Sequence, residues 1–139
     1  MSTTNLEFDS YYKSQPLYGG CYSKNQLATK RPGGKFYVIN MENSTTGSGT
    51  HWVCVFDCLP TVSIYYDPFG VDPPPDISKF MKRSGKKTLY STDDFQELTS
   101  ENCGRFVALF INKMLAHQKL GLTDHPSTKN ERIVSSIKL

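Results

Sequence analysis

The sequence predicts an α+β domain in which a small mixed β-sheet packs against a central helix that carries a cysteine at its N-terminus. Three observations predict it. "KFYVINM" (35–41), "THWVCVFD" (50–57) and "TVSIYYD" (61–67) are short runs rich in aromatic and β-branched residues and bounded by turn formers, as strands are. "CGRFVALFINKMLAHQK" (103–119) carries Phe106, Val107, Phe110, Ile111, Met114 and Leu115 at helical spacing, the strongest such pattern in the chain. A length of 139 residues suits a single domain, 1–139, with one sizeable core.

Taken in order, residues 1–34 are rich in Tyr, Gly, Ser and Lys, and "LYGG" and "KRPGG" punctuate them as loops and turns around at most one short helix near the start. Strand 35–41 leads into the loop "ENSTTGSG" (42–49). The strands 50–57 and 61–67 are separated by "CLP", a hairpin-length connection, and pair antiparallel. "DPFG" (67–70) has Pro and Gly at the second and fourth positions of a type I turn, and "VDPPP" (71–75) excludes regular structure. "DISKFMKRS" (76–84) puts Ile77, Phe80 and Met81 on one helical face with Asp76 as its cap, and "KTLYS" (87–91) is a short strand. A last short helix is expected at 127–136.

Composition excludes several classes of function. With 37% hydrophobic and 12% aromatic residues the chain is globular, and its net charge of +3 permits contact with nucleic acid or acidic surfaces without demanding it. No run approaches the length of a membrane span, and the polar start "MSTTNLEFDS" does not have the form of a signal peptide, so an unsecreted protein in a reducing compartment, with no membrane partner, is expected. In such a compartment Cys21, Cys54, Cys58 and Cys103 stay thiols. A zinc site from His51, Cys54 and Cys58 is disfavoured, because on a strand the two cysteines share one face and His51 takes the other. No metal and no cofactor are expected.

The residues able to do chemistry lie at the ends of these elements. A hairpin centred at Leu59 sets His51 directly opposite Asp67, close enough for imidazole and carboxylate to share a hydrogen bond; the competing reading makes them a strand end and a turn opener. Cys103 stands in the first turn of the core helix, with Asn102 or Ser100 as N-cap, where the helix end lowers a thiol's pKa. The other three cysteines lack that activation and are read as packing. Nucleophilic catalysis by a thiol needs a base, a group that orients the base, and donors for an oxyanion. Cys103, His51 and Asp67 fill the first three roles, and the Cys103 amide with the Gln96 side chain supplies donors.

In order and wording, "GTHWVCVF", "YYDPFG" and "FQELTSENCGRF" resemble the His-Trp, acid-Pro-Phe-Gly and Gln…Cys-Gly blocks of the adenain-like cysteine proteases, the family of the adenovirus maturation protease. They also resemble the wider group of ubiquitin-like-protein proteases and proteases of virophages and Polinton-like elements. The matching blocks cover residues 49–70 and 90–110. The resemblance implies the adenain-like fold, Cys103 as nucleophile, His51 as base, Asp67 as its orienting acid, and Gln96 with the Cys103 amide as oxyanion hole. It further implies that Trp52 walls a cleft for small, Gly-Gly-like residues, that the substrates are viral capsid or core precursors, and that the protein works in the virion and the infected cell. Two positions depart from the pattern. Adenain carries Glu where this chain has Asp67, as the ubiquitin-like-protein proteases do not, and Arg105 stands where an apolar residue is usual.

Two other functions fit the same sequence: an isopeptidase removing ubiquitin-like modifiers, and a non-catalytic virion binding module. "KRSGKK", with Lys82, Arg83, Lys86 and Lys87, is a weak candidate for DNA contact or a solvated basic loop. "LYGGC" resembles a Gly-Gly cleavage site at Gly19-Gly20, although a turn before a strand is the simpler reading.

Overall fold

The computed structural model describes residues 5–41, 51–91, 96, 102–122 and 126–139. The expected loop 42–49, Ser100, and the residues flanking Gln96 lie outside them. The elements run α1 (Asn5–Tyr11), β1 (Tyr18–Ser23), a 3₁₀ turn (Lys24–Leu27), β2 (Phe36–Asn40), β3 (Trp52–Phe56), β4 (Val62–Tyr66), α2 (Pro75–Lys82), β5 (Lys87–Tyr90), α3 (Cys103–Leu115) and α4 (Thr128–Ser135). Among the described residues five strands form one sheet in the order β1-β2-β3-β4-β5. The outer pairs are parallel and the inner pairs antiparallel, so the sheet is mixed, as the sequence predicts.

Alternation along the inner strands builds two cores. Phe36, Val38, Trp52, Cys54, Phe56 and Tyr66 face Phe106, Val107, Phe110 and Ile111 of α3, together with Phe8 of α1 and Val134 of α4. Tyr37, Ile39, Val53, Val55 and Tyr65 face Ile77, Phe80 and Met81 of α2. The sheet is therefore covered on both sides, and β2 and β3 are buried at every position. Complete burial of Phe106, Val107 or Ile111 stabilises the α3 contact by about 1.5–3 kcal/mol each.

Three expectations are corrected. The Gly-Gly stretch is strand β1, not a turn: Gly19 lies against the Tyr37 ring, where a Cβ would overlap the ring carbons, and Gly20 takes a φ of 127° at an irregular step in the pairing with β2. α2 is capped by Pro74 and not Asp76, because Pro75 holds its predecessor extended and starts the helix one residue early. α3 stops at Leu115, short of 119. His117 takes a φ of 55°, and the N–H groups of His117 and Gln118 donate back to the Met114 and Lys113 carbonyls at 3.2 and 2.9 Å, closing the helix end.

The β3–β4 register is corrected as well. Cys54 pairs with Tyr66 and Phe56 with Ile64, two residues beyond the expected partners. The connection is longer because Asp57 is diverted from the hairpin: its N–H donates to Lys35 O at 3.1 Å, and its buried Oδ2 accepts from Gly34 N–H at 2.9 Å and pairs with Lys86 Nζ at 3.4 Å. Pro60 has no N–H to add to a ladder. A slip of two leaves each side chain on its own face. Two of the four "KRSGKK" cations are thereby internal fasteners: Lys86 Nζ also donates to Asp57 O at 2.7 Å, and Arg83 Nη1 donates to the Leu27 and Lys30 carbonyls at 2.9 and 3.1 Å. Lys82 and Lys87 are exposed. Among the described residues no helix is long and apolar enough to cross a membrane.

Gly19→Ala forces a methyl group into the Tyr37 ring and should destabilise the fold by about 1–3 kcal/mol, read as a lower midpoint in urea. Adding Tyr37→Leu should recover part of the loss, and an unchanged midpoint in the single variant would show that β1 has room there.

Candidate active site

The site forms where three elements end. Trp52 is the first residue of β3 and Cys103 the first of α3, and the packing of α3 on β3 brings them together. The thiol sits between the two backbone groups of Trp52: the N–H donates to Sγ at 3.2 Å, and the carbonyl oxygen lies 3.1 Å from Sγ as an alternative acceptor to the imidazole. Because β3 and β4 are antiparallel, β4 ends beside the start of β3. Asp67, one residue past β4, and His51, one residue before β3, therefore arrive at the same end of the sheet.

His51 lies with Nδ1 3.2 Å from Cys103 Sγ and Nε2 3.1 Å from Asp67 Oδ2. The three residues that the sequence singled out are thus joined through one ring. The contact is not the directly opposed pair the hairpin argument expected. Both residues stand outside the ladder, where the pleat no longer dictates side-chain direction, and they meet across the sheet's end. The Met41 N–H donates to His51 O at 2.9 Å, which ties the His51 backbone to the end of β2.

Asp67 divides its carboxylate between two tasks. Oδ1 accepts the Phe69 N–H at 2.8 Å within the "DPFG" turn, which the Gly70 N–H closes onto Asp67 O at 2.8 Å, and Oδ2 faces the imidazole. Since an ionised carboxylate only accepts, Nε2 carries the ring proton and Nδ1 of the neutral ring presents a lone pair to the thiol. Phe69 lies over the imidazole, with ring centroids 5.2 Å apart and planes 28° from parallel. Sequence reasoning missed this packing; the third position of the turn was its signal.

Cys103 does not follow the expectation of a lowered pKa. Burial, with a smaller push from the Asp67 charge, raises the thiol from its ordinary 9.0 to about 12, against the opposing pull of the Trp52 N–H. A helix end contributes about 0.3–1 kcal/mol, less than the ~1.4 kcal/mol that moves a pKa by one. Burial likewise raises Cys21 to about 12 and Cys58 to about 11, and lifts Cys54 well above its ordinary value. Cys103 is distinguished by its imidazole partner, not by its acidity. The arrangement is able to transfer a proton from sulfur to Nδ1 as sulfur forms a bond to carbon, with Asp67 stabilising the imidazolium.

The remaining candidates are placed as follows. Gln96 is buried, not solvated, and its N–H donates to Pro68 O at 3.2 Å, beside Asp67. The Trp52 indole is 2% exposed and packs edge-on against Phe8 of α1, with ring centroids 5.1 Å apart, so the side chain lies in the core and only the backbone meets the thiol. Asn102 is the N-cap residue of α3 but makes no side-chain cap; its amide is engaged by Arg105 and Glu131. All four cysteines are free thiols, and among the described residues no group of three or more His, Cys, Asp or Glu side chains is placed to hold a metal ion.

No protein-family model matches the sequence, and no curated protein matches it. Among solved structures the fold is similar to that of the ASFV pS273R protease, with a TM-score of 0.59 and 16% identity over 84% of this chain and 57% of that one. The selenomethionine form of the same protease gives a TM-score of 0.57 and 16% identity over 86% of this chain and 60% of that one. The likeness shows the α+β fold. The chain spans less than two thirds of that protease's length.

The Cys103–His51 contact has a pH signature. In His51→Ala the buried thiol has lost its imidazole neighbour and keeps the burial that raises its pKa, so alkylation by iodoacetamide should be slow at pH 7 and rise only well above the ordinary thiol range. The unsubstituted protein should react at pH 7 at least about tenfold faster, and coincident pH profiles would dissolve the pair. The same proton affects stability. A thiol whose folded pKa lies above its unfolded value contributes fully below pH 9.0 and loses the contribution as the pH rises toward about 12. Cys103→Ser should therefore flatten the fall in Tm across that window.

Proposed function

We propose that the protein is a cysteine endopeptidase acting on polypeptide substrates through Cys103, His51 and Asp67. One observation carries the reading: a single imidazole stands 3.2 Å from a thiol by one nitrogen and 3.1 Å from a buried carboxylate by the other. The fold shared with a solved viral protease supports it.

In the proposed reaction Cys103 Sγ attacks the scissile carbonyl carbon while its proton passes to His51 Nδ1. The Cys103 N–H and the Gln96 side chain stabilise the oxyanion. The tetrahedral adduct collapses as Nδ1 gives the proton to the leaving amine, and a thioester on Cys103 remains. Water then attacks the thioester carbonyl, giving a proton to Nδ1. Collapse of the second adduct returns that proton to sulfur, releases the carboxylic acid product and restores the thiol.

The finer reading keeps the preference for small, Gly-Gly-like residues on the acyl side and capsid or core precursors as substrates, in the virion and infected cell. It rests on the resemblance of the His-Trp, Asp-Pro-Phe-Gly and Gln…Cys-Gly blocks to the adenain-like proteases. With the Trp52 indole closed beneath Phe8, the wall beside the base is assigned to Phe69, half-buried over the imidazole.

A Gly-Gly peptide ending in a thiol-reactive group tests the assignment. Mass analysis should locate the adduct on Cys103, and His51→Ala should abolish it and lower peptide hydrolysis by about 10³-fold or more. Asp67→Asn should lower hydrolysis as well, because an amide can present the wrong partner to Nε2. Equal labelling of Cys21, Cys54 and Cys103 would overturn the triad, and cleavage confined to conjugates of a folded modifier would replace the endopeptidase with the isopeptidase.

A further inference from the structure

Arg105, the departure from the family pattern, belongs to a polar chain that joins the nucleophile's helix to α4. Its Nη1 donates to Asn102 Oδ1 at 3.3 Å, and Asn102 Nδ2 donates to Glu131 Oε1 at 2.9 Å. The amide of the residue before Cys103 is therefore held by a cation at its oxygen and an anion at its nitrogen. Both bonds are charge-assisted, and both are aligned with the amide's own dipole. Arg105 Nε also donates to Ile137 O at 3.1 Å, just past α4. α4 is itself anchored, with Asn130 and Val134 buried and the Ser127 side chain capping its first turn through the Asn130 N–H at 3.1 Å.

This grip has a consequence for the first turn of α3. An Asn at N-cap ordinarily adopts extended backbone and turns its side chain onto the second or third helical N–H. Asn102 instead has φ −88° and ψ 13°, between the extended and helical regions, and makes no side-chain cap. Its amide is turned to Arg105 and Glu131, and the ψ of 13° sets the plane of the Asn102–Cys103 peptide and with it the direction of the Cys103 N–H.

We propose that Arg105 and Glu131 are positioning residues: by holding the Asn102 amide from both sides they fix the backbone of the residue before the nucleophile, and with it the direction in which the Cys103 N–H is offered to the oxyanion. The inference rests on the proposed peptidase reading and extends it to residues outside the triad. α4 then serves catalysis through Asn102, without touching substrate.

The test separates oxyanion stabilisation from thiol reactivity. Peptide hydrolysis builds charge on a carbonyl oxygen, whereas alkylation by iodoacetamide displaces iodide and creates no oxyanion. Glu131→Ala and Arg105→Leu should each lower kcat on the order of tenfold with KM within about twofold of the original, while alkylation of Cys103 at pH 7 keeps its rate. Glu131→Gln, which retains an oxygen acceptor for Asn102, should remain near the original kcat. Should Glu131→Ala fail to fold, Asn102→Asp carries the test, because its carboxylate opposes Glu131 while still accepting from Arg105, and the same split is expected. Variants that turn over like the original protein would overturn the inference. So would alkylation that falls in step with kcat, since that marks general loosening of the site. A protein that hydrolyses no peptide before any substitution overturns the function and this inference together; hydrolysis indifferent to these variants overturns this inference alone.

Discussion

The meeting of the first residue of β3 with the first residue of α3 is the constraint on which the rest of the site depends. β3 is buried on both faces, so its place is set by two layers of packing at once. α3 is apolar along the side that rests on it, and its buried residues begin at Cys103 itself. The thiol thus lies against the Trp52 backbone because a strand and a helix start at the same level of the fold. Antiparallel pairing then delivers Asp67 to that level, and His51 needs only to precede the strand by one residue. Convergence at element ends is a stiffer way to hold three side chains than a long loop, since each position is backed by core packing.

The same burial sets the electrostatic character of the site. A thiol that burial holds protonated gains little from the helix end, so its reactivity depends on a proton acceptor within reach. That acceptor is selected by the carboxylate on its far side. With Oδ1 committed to the turn, Asp67 offers Oδ2 in one direction, and the ring is held in the tautomer whose lone pair faces sulfur. Asp67 is 1% exposed and the His51 side chain 24%, so the imidazole lies nearer to solvent than the carboxylate it contacts. Proton exchange with water can therefore pass through the imidazole without exposing the carboxylate.

What was legible in the sequence follows a physical division. Elements that bury a periodic face were readable: the three inner strands, α2 through Ile77, Phe80 and Met81, and α3 from its first residue. The His51–Asp67–Cys103 association was readable because each residue sits beside an element boundary marked by composition. The register was not, because Asp57 is claimed by Gly34 and Lys86, partners far away in sequence. β1 was unreadable for a related reason. Its glycines serve the close approach of the Tyr37 ring, and a local reading takes a Gly-Gly pair for a turn. The raised pKa of Cys103 was out of reach too, since the helix end is visible in sequence while desolvation depends on the whole fold. Arg105 was visible as an anomaly, and its meaning needed Asn102, Glu131 and Ile137 in three dimensions.

The 52-residue separation of His51 and Cys103 also bears on when the site can exist during synthesis. A growing chain that has reached residue 102 carries the base and the acid and has no thiol beside them. When Cys103 has been added, α3 has still to form and dock on β3, and the Glu131 and Ile137 contacts wait for the end of α4. Contacts of such long range form late, after the closure entropy of the intervening chain has been met by packing. A growing chain whose α3 has not docked on β3 therefore lacks the assembled centre, and one without α4 lacks the contacts of Asn102 and Arg105 to Glu131 and Ile137. For a chain proposed to cut polypeptides, the nucleophile is thus the last of the three residues to be made, 52 positions after His51.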